Sequence, residues 1–579
     1  MSNGLSAGAG PSTQSPQTPS YPWIDHYPEG VAWDMPINPQ PLPTVLQEAA
    51  RTFANHSAIS FMGKVTTYTQ LDSLVNRVAA GLQQIGVTKG TKVGLFLPNT
   101  PTFIVYYYAI LRAGGTVVNF NPLYTLEELS FQVRDSQTEI MVTHDLAALF
   151  PKLEALVQRG VLARILVVPF APELPSPTRQ LFLLFKKKDR ANIASSPVRD
   201  KVIDGAALAK TTTPLKPVAI DPLEDVAVLQ YTGGTTGTPK GAMLTHANLY
   251  ANTVQIVTWA SDLVSGKERV LGALPLFHVF AMTGVMNLGI AKGATIILMA
   301  RFQLQDALKL IDKEKPTMMP AVPTIFTAML NAPNIKTFNL SSLRFCISGG
   351  APLPLEVKLK FEKLAGCKVV EGYGLSEASP VVTCNPIEGR VIAGSIGPPI
   401  PQTVVSLRDL QDPTIEVAPG ERGELCAKGP QIMKGYWNRP EDTANQFVGD
   451  FLRTGDVAVM DEFGFFQIVD RIKDLIICSG YNVYPRRIEE AIYEHEAVEE
   501  VTVIGIKDDY RGEAPKAFIK LKAGATATKA EILRHLETKI SKIELPAEID
   551  FRDSLPKTMI GKLSKKELAA EEVKRRAST

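Results

Sequence analysis

The residues that could do chemistry gather in a few glycine-, serine- and threonine-rich segments and at one lysine near the C-terminus. Tyr231 to Gly241 reads YTGGTTGTPKG. Its glycines can expose backbone N–H groups that, with the threonine hydroxyls and Lys240, would surround phosphate oxygens. A Walker-type loop needs Ser or Thr after its lysine to hold magnesium, and Gly241 stands there instead. The segment is a phosphate-loop candidate of another kind, with a plain Gly-rich turn as the alternative. Ser348 to Pro354 (SGGAPLP) offers consecutive small residues against which a flat ring could lie. Glu371 to Pro380 (EGYGLSEASP) brings together an aromatic ring, a hydroxyl and a carboxylate, suited to stacking on a base, touching a phosphate and coordinating Mg²⁺.

Two shorter signals follow. In TGD, Thr454 to Asp456, the carboxylate of Asp456 can accept both hydroxyls of a ribose, and DRIKD, Asp470 to Asp474, comes shortly after. LPKTMIGKL, Leu555 to Leu563, sets Lys562 behind a glycine close to the chain end, where an isolated lysine is ordinarily solvated surface.

Elements able to position these segments are visible in the hydrophobic pattern. Leu71, Val75, Val78, Leu82 and Ile85 recur at helical spacing, and Lys92 to Pro98 reads as a buried strand. Further strands are expected at 164–169, 226–232, 295–299, 343–348 and 368–374, with helices between many of them. This alternation implies βαβ units and largely parallel sheets, whose ligands bind beyond the carboxyl ends of the strands. After Gly394 the texture turns to short alternating runs, including a hairpin over Val457 to Val469, so this part is mostly β. Beyond Asp470 helices and strands return: RRIEEAIYEHEAV, VTVIGI, KAFIKLK, a helix near Lys529 to Ile540 and a basic C-terminal helix. They form a small separate domain of about one hundred residues.

A chain of 579 residues, 45% hydrophobic and 21% charged, has the composition of a multi-subdomain globular protein. The 61 basic residues nearly cancel 59 acidic ones, so no global field draws the chain to nucleic acid. Five cysteines, with no C-x-x-C pair, read as reduced cytosolic thiols with neither a disulfide frame nor a zinc site. Residues 1–20 lack a basic start and an apolar run, and read as a disordered tail and not as a secretory signal. Leu271 to Ala291 is uncharged and long enough for a bilayer span, but Pro275, His278, Asn287 and three glycines interrupt it. A strand, a turn and a buried helix are expected there. Leu181 to Lys188 (LFLLFKKK) sets an apolar cluster against three lysines; it either rests on an anionic membrane surface or is a surface insertion with a solvated charge run.

Taken together, in this order and spacing, the motifs closely resemble the AMP-forming acyl-CoA synthetases of the adenylate-forming superfamily, from about Pro43 to Lys566. NPLYTLEEL at Asn121, PLFHVFAMTG at Pro275, RFQLQDALKLI at Arg301, PTMMPAVPTIF at Pro316, KGYWNRPEDT at Lys434 and the stretch from Phe451 through NVYP narrow the resemblance to fatty acyl-CoA ligases. The resemblance implies an α/β fold with a large multi-subdomain N-terminal domain: two doubly wound αβ sheets and a β-barrel-like subdomain. A small mobile α+β C-terminal domain follows. The boundaries expected are a tail at 1–20, an AMP-binding domain at 21–470 and a C-terminal lid domain at 471–579, with Asp470 as the hinge.

It also implies an activity: activation of a long-chain fatty acid by ATP to an acyl adenylate, with pyrophosphate release, then transfer to coenzyme A. Lys562 would bridge the carboxylate and the α-phosphate. Thr232 and Glu377 correspond to the magnesium-associated positions, and Thr235, Thr236, Gly237 and Lys240 to the phosphate loop. Gly350, Ala351, Pro352, Gly372 and Tyr373 would line the adenine, Ser376 the α-phosphate, and Asp456 and Arg471 the ribose, with Lys473 nearby and Glu371 also among the cofactor-binding residues. Ser479 and Gly480 would lie on the coenzyme A path. His278, Gly349 and Gly374 would border the acyl chain. Many relatives carry a lysine at the place of Ile477, so a charge-based role in thioester formation is not expected there. Expected partners are a fatty acid, ATP and coenzyme A with Mg²⁺, and no nucleic acid, for a monomer or homodimer. The expected location is cytoplasmic, with peripheral contact to the inner face of the membrane as an option. The alternatives are a medium-chain or dicarboxylic acid–CoA ligase, a fatty acyl-AMP ligase that loads a carrier protein, and a non-enzymatic fatty acid binding or uptake component.

Overall fold

Short runs of Val, Ile and Leu alternate with helices whose ends are fixed by their own side chains. Thr67 with Gln70, Thr125 with Glu128, Thr245 with Asn248 and Thr528 with Glu531 each form a reciprocal capping box. Each box satisfies two backbone groups that a helix start would otherwise leave open. The computed structural model describes residues 21–232, 238–479, 481–508, 510–558 and 561–577. Residues 1–20, expected as a tail, lie outside them.

Two large sheets dominate. A seven-stranded sheet runs in the order Val202–Asp204, Arg164–Val168, Ile140–His144, Lys92–Leu95, Thr116–Asn119, Val226–Thr232, Lys240–Thr245. All its neighbours are parallel except the last pair. An eight-stranded sheet runs Val381–Cys384, Lys368–Gly374, Phe345–Ser348, Met318–Ala321, Arg269–Gly272, Thr295–Leu298, Ser57–Phe61, Lys64–Thr67. It is parallel inside, with one antiparallel strand at each edge. The helix Pro101–Arg112, apolar almost all round and buried at every position after Pro101, belongs to the core shared by both sheets. A helix hydrophobic on all faces has to be covered on all faces, which explains the two-sheet arrangement around it.

Leu271 to Ala291 forms the expected buried strand, turn and helix. The strand Arg269–Gly272 leads through a turn into Val279–Ala281, a π-helical turn over Met282–Asn287, and Leu288–Ala291. Side chains hold the wide turn: Thr283 Oγ1 donates to Ser379 O at 2.7 Å, and Tyr108 Oη donates to Asn287 Oδ1 at 2.8 Å. Among the described residues no helix is long and apolar enough to cross a membrane.

A five-stranded antiparallel sheet built on Val404–Arg408, Gly423–Lys428, Phe451–Met460, Phe447–Val448 and Phe466–Arg471 follows, with a core of its own. The chain then builds a second five-stranded sheet with the helices Pro485–Tyr493, Lys529–Glu537 and Lys565–Ala577, around a separate core that includes Ile488, Val503, Ile519 and Leu536. Asp470, the expected hinge, is the next-to-last residue of the strand Phe466–Arg471. One oxygen accepts from Arg471 N and the other from Arg486 N at the start of the helix Pro485–Tyr493. Burial pushes its carboxyl up to about 6, against the pull of Lys565.

Candidate active site

The carboxyl ends of both large sheets open onto one crevice. Asn99, just past the strand Lys92–Leu95, ties them together: its Nδ2 donates to Leu274 O at 2.7 Å and its Oδ1 accepts from Leu276 N at 2.8 Å. The crevice holds a cavity of about 790 Å³ whose wall includes Thr232, Lys240, His278, Gly349, Gly350, Gly372, Tyr373, Gly374, Ser376, Glu377, Asp456, Arg471, Lys473 and Lys562. A cleft of about 800 Å³ between Gln47, Asp72, Arg77 and the segment 211–215 contains none of the sequence-derived site residues.

On the polar side, Thr232 and Lys240 are register partners in an antiparallel pair, so the loop between them starts and ends at one place on the wall. Thr235, Thr236 and Gly237 lie outside the described residues. Lys240 Nζ is paired with Asp442 and lies over the Tyr436 ring. Glu377, on a 3₁₀ turn, accepts from Tyr436 Oη at 2.8 Å, and burial raises its pKa. Asp456 accepts from Tyr373 Oη at 2.5 Å and from Arg471 Nε at 3.1 Å. Behind it, Arg453 donates twice to Glu424, whose other oxygen accepts from Gly455 N at 3.1 Å, and this pair fixes the irregular stretch of the strand Phe451–Met460 that presents Asp456.

Lys562 reaches this wall held to Thr558: Thr558 N donates to Lys562 O and Lys562 N donates to Thr558 Oγ1. Its aliphatic stem crosses Gly350, where a Cβ would stand 3.0 Å from Lys562 Cε; Gly350 also has φ +82, which a side chain would disfavour. Burial, and then Arg471, push the ammonium down to about 8, with Asp456 pulling the other way. His278 accepts from Phe280 N through Nδ1 and is pushed down to about 3 by burial and by Lys562, so it faces the cavity as a neutral imidazole.

Beyond His278 the wall turns apolar. Ile256 and Trp259 of the helix His246–Trp259 with Ala260 just past its end, Phe280, Gly284 and Leu288 around the π-turn, and Val381 and Cys384 line this part. Gly374 has no room for a side chain, since a Cβ there would lie 2.1 Å from Pro380 O.

Several sequence-derived residues fall elsewhere. Ala351 is half-buried and Pro352 exposed on the loop after Gly350, and neither is part of the cavity wall. Glu371 is buried, accepts from the Leu353 backbone and is pushed up to about 7 by burial, near Lys358 and Arg486 instead of the cavity. Ser479 is exposed, with φ +51 and its N–H bonded to Arg511 O. Gly480 lies outside the described residues. The sequence reading missed Tyr436, Glu424, Arg453, Trp259 and Gln230, whose Nε2 donates to Phe277 O at 3.1 Å. Tyr436 and Arg453 lie in segments that carried the family resemblance, so a signal was present. Trp259 closes a helix with no motif around it.

Comparison with known proteins gives a consistent picture. The AMP-binding enzyme family matches residues 46–437, and the AMP-binding enzyme C-terminal domain matches residues 487–562. A long-chain-fatty-acid–CoA ligase of Bacillus subtilis (strain 168) is 44% identical over 95% of this chain and 98% of its own. A long-chain-fatty-acid–CoA ligase of Salmonella typhimurium is 38% identical over the same shares. Among solved structures, ATP-bound MatB from Rhodopseudomonas palustris superposes with a TM-score of 0.78 at 27% identity, covering 92% of this chain and 99% of that one.

Proposed function

The chain belongs to the AMP-binding enzyme family, and from that premise we propose that it is an ATP-dependent long-chain fatty acid–CoA ligase. It converts a fatty acid to the acyl adenylate, and then to the acyl-CoA, with ATP and coenzyme A as co-substrates. The observation that carries this reading is the placement of Lys562. An ammonium group from the far end of the chain stands in a nucleotide-sized cavity, opposite Asp456 and Arg471, where the wall changes from polar to apolar.

In the first half-reaction a carboxylate oxygen attacks the α-phosphorus, the bond to the β-phosphate bridge breaks, and pyrophosphate leaves. Two anions must approach each other, so fixed positive charge and dipoles have to offset the repulsion. Lys562 is assigned that task, neutralising charge as it develops between the carboxylate and the α-phosphate. Lys240 and the loop after Thr232 take the terminal phosphates, Ser376 the α-phosphate, and Asp456 with Arg471 the ribose. Gly349, Gly350 and Gly372 give the adenine a wall without side chains.

Glu377 and Thr232 suit a magnesium ion. Among the described residues no group of three or more His, Cys, Asp or Glu could hold a metal. A buried carboxylate and a hydroxyl on one cavity wall fit an ion that takes most of its ligands from phosphate and water. Bound there, Mg²⁺ would neutralise phosphate charge.

The second half-reaction, attack of the coenzyme A thiol on the acyl carbonyl with loss of AMP, needs no ammonium at the α-phosphate. Lys562 is therefore free to withdraw, with Asp470 as the pivot between an AMP-binding body at 21–470 and a lid at 471–579. The fatty acyl chain is assigned to the apolar wall past His278, where each buried methylene contributes about 0.8 kcal/mol. A cytoplasmic location is supported by five unpaired cysteines.

The test is pyrophosphate release with ATP, Mg²⁺ and a ladder of fatty acids, with and without coenzyme A. Steady turnover from long-chain acids that requires coenzyme A is expected. Turnover only with a carrier protein, or no adenylate from any acid, would overturn the reading.

A further inference from the structure

The helix Thr178–Phe185 buries none of its residues. Leu181, Leu184 and Phe185 are 51%, 72% and 77% exposed, a density of large apolar side chains that a solvated surface rarely carries. Only Phe182 turns inward: its ring meets Phe170 edge-on with centroids 5.4 Å apart, and Phe170 meets His144 at the end of the strand Ile140–His144. A neighbouring hairpin extends the patch. Lys64 Nζ donates to Pro172 O at 2.6 Å, which brings Met62 and Val65, both more than half exposed, beside the segment that leads into the helix.

Charge frames this surface. Residues 178–190 contain Arg179, Lys186, Lys187, Lys188 and Arg190 against a single acid, Asp189. Lys186 pairs locally with Asp189 and Arg190 with Asp145, while Arg179, Lys187 and Lys188 are exposed and, among the described residues, in no ion pair.

We propose that the helix Thr178–Phe185 and the lysines after it are a docking surface for an anionic lipid bilayer. Leucine and phenylalanine would enter the acyl boundary while the ammonium groups stay among acidic headgroups, the arrangement by which short amphipathic helices lie on membranes. A second copy of the chain is disfavoured, because it would set the same cluster of positive charge against itself. The surface lies at the carboxyl end of the strand Ile140–His144, the edge of the sheet from which Asn119 and Asn121 reach the cavity. Docking would present that edge to the phase in which long-chain acids dissolve; this last consequence rests on the ligase reading, whereas the docking does not.

Vesicle sedimentation of the full chain tests the proposal, comparing phosphatidylglycerol-containing with pure phosphatidylcholine vesicles. The wild type should partition to the acidic vesicles and only weakly to the neutral ones. Leu184→Ser/Phe185→Ser and Lys187→Glu/Lys188→Glu, all at exposed positions, should each lower partition by about tenfold or more. Their turnover of a water-soluble medium-chain acid should be unchanged. Equal binding by wild type and variants, equal binding to both vesicle types, or a dimer abolished by Leu184→Ser/Phe185→Ser without vesicle binding would overturn it. Vesicle binding in a protein that releases pyrophosphate with no acid would uphold the docking surface while removing the ligase reading.

Discussion

Asp456 and Arg471 stand directly opposite each other across an antiparallel strand pair, with Arg471 Nε 3.1 Å from Asp456 Oδ1. Asp456 belongs to the long strand Phe451–Met460 of the central antiparallel sheet, and Arg471 is the last residue of its neighbour, Phe466–Arg471. One ion pair thus closes the end of this sheet, at the point where the chain leaves it. If it holds a ribose, Asp456→Asn keeps the shape and removes the charge. The Michaelis constant for ATP should then rise by about tenfold to a hundredfold, the range for charge-assisted hydrogen bonds, with a much smaller effect on that for the acid. Steady-state kinetics with each substrate varied in turn would show it.

Lys562→Ala should lower adenylation by at least about a hundredfold, the usual loss when a group that stabilises developing charge is removed. Conversion of chemically prepared acyl adenylate to acyl-CoA should survive. Pyrophosphate release and thioester formation, measured separately, distinguish this outcome from general damage to the fold.

The same lysine predicts an alkaline limb. Its pKa is depressed from the ordinary lysine value to about 8, and the cation is the form that the proposed role needs. As pH rises through that value the ammonium loses its proton, so kcat/KM for adenylation should fall above about pH 8. His278, held down to about 3, stays neutral across the working range and should add no acidic limb above that value. A pH profile of the free enzyme that is flat to pH 10 would remove Lys562 from the rate-determining step.

Gly284 leaves an opening in the apolar wall: a Cβ placed there would meet only the Phe280 ring, at 3.4 Å. Gly284→Leu would fill space for about three methylenes, roughly 2 to 3 kcal/mol of burial. The kcat/KM for a sixteen-carbon acid should fall by about fiftyfold, while that for an eight-carbon acid changes little. A parallel loss for both acids would place the chain elsewhere.

Glu377→Gln should raise the Mg²⁺ concentration needed for half-maximal pyrophosphate release and lower the maximum, since a neutral amide is a poorer ligand for a hard cation. A magnesium titration of variant and wild type compares both quantities.

The parallel strands were legible because, covered on both faces, they read as continuous apolar runs. Arg164–Val168, Val226–Thr232 and Lys368–Gly374 stand close to where those runs place them. The edge strand Lys64–Thr67, with only Val65 apolar, has no such run, and Lys240–Thr245 is masked by the motif that precedes it. The motifs marked the wall of the cavity well, yet not which side of each strand faces it. Glu371 shares a motif with Gly372 and Tyr373, but its side chain is turned toward Lys358 and Arg486. The segments holding Tyr436 and Arg453 were marked, but their partners were not: Tyr436 meets Glu377 where a loop and a distant 3₁₀ turn converge, and Glu424 meets Arg453 through the register of two neighbouring strands. Trp259 reaches the apolar wall from a helix whose sequence reads as ordinary core.

The pairing of Lys240 with Asp442 has a consequence for selectivity. The loop does not offer a bare cation to whatever arrives; it offers one that already has an anionic tenant. If Lys240 takes the terminal phosphates, as proposed, an incoming ligand would have to evict that carboxylate, and a triphosphate with several neighbouring charges is far better placed to do so than a monophosphate or a stray chloride. The internal competitor would then act as a threshold, discounting weak anions in advance, and would reset the site once AMP and pyrophosphate had left.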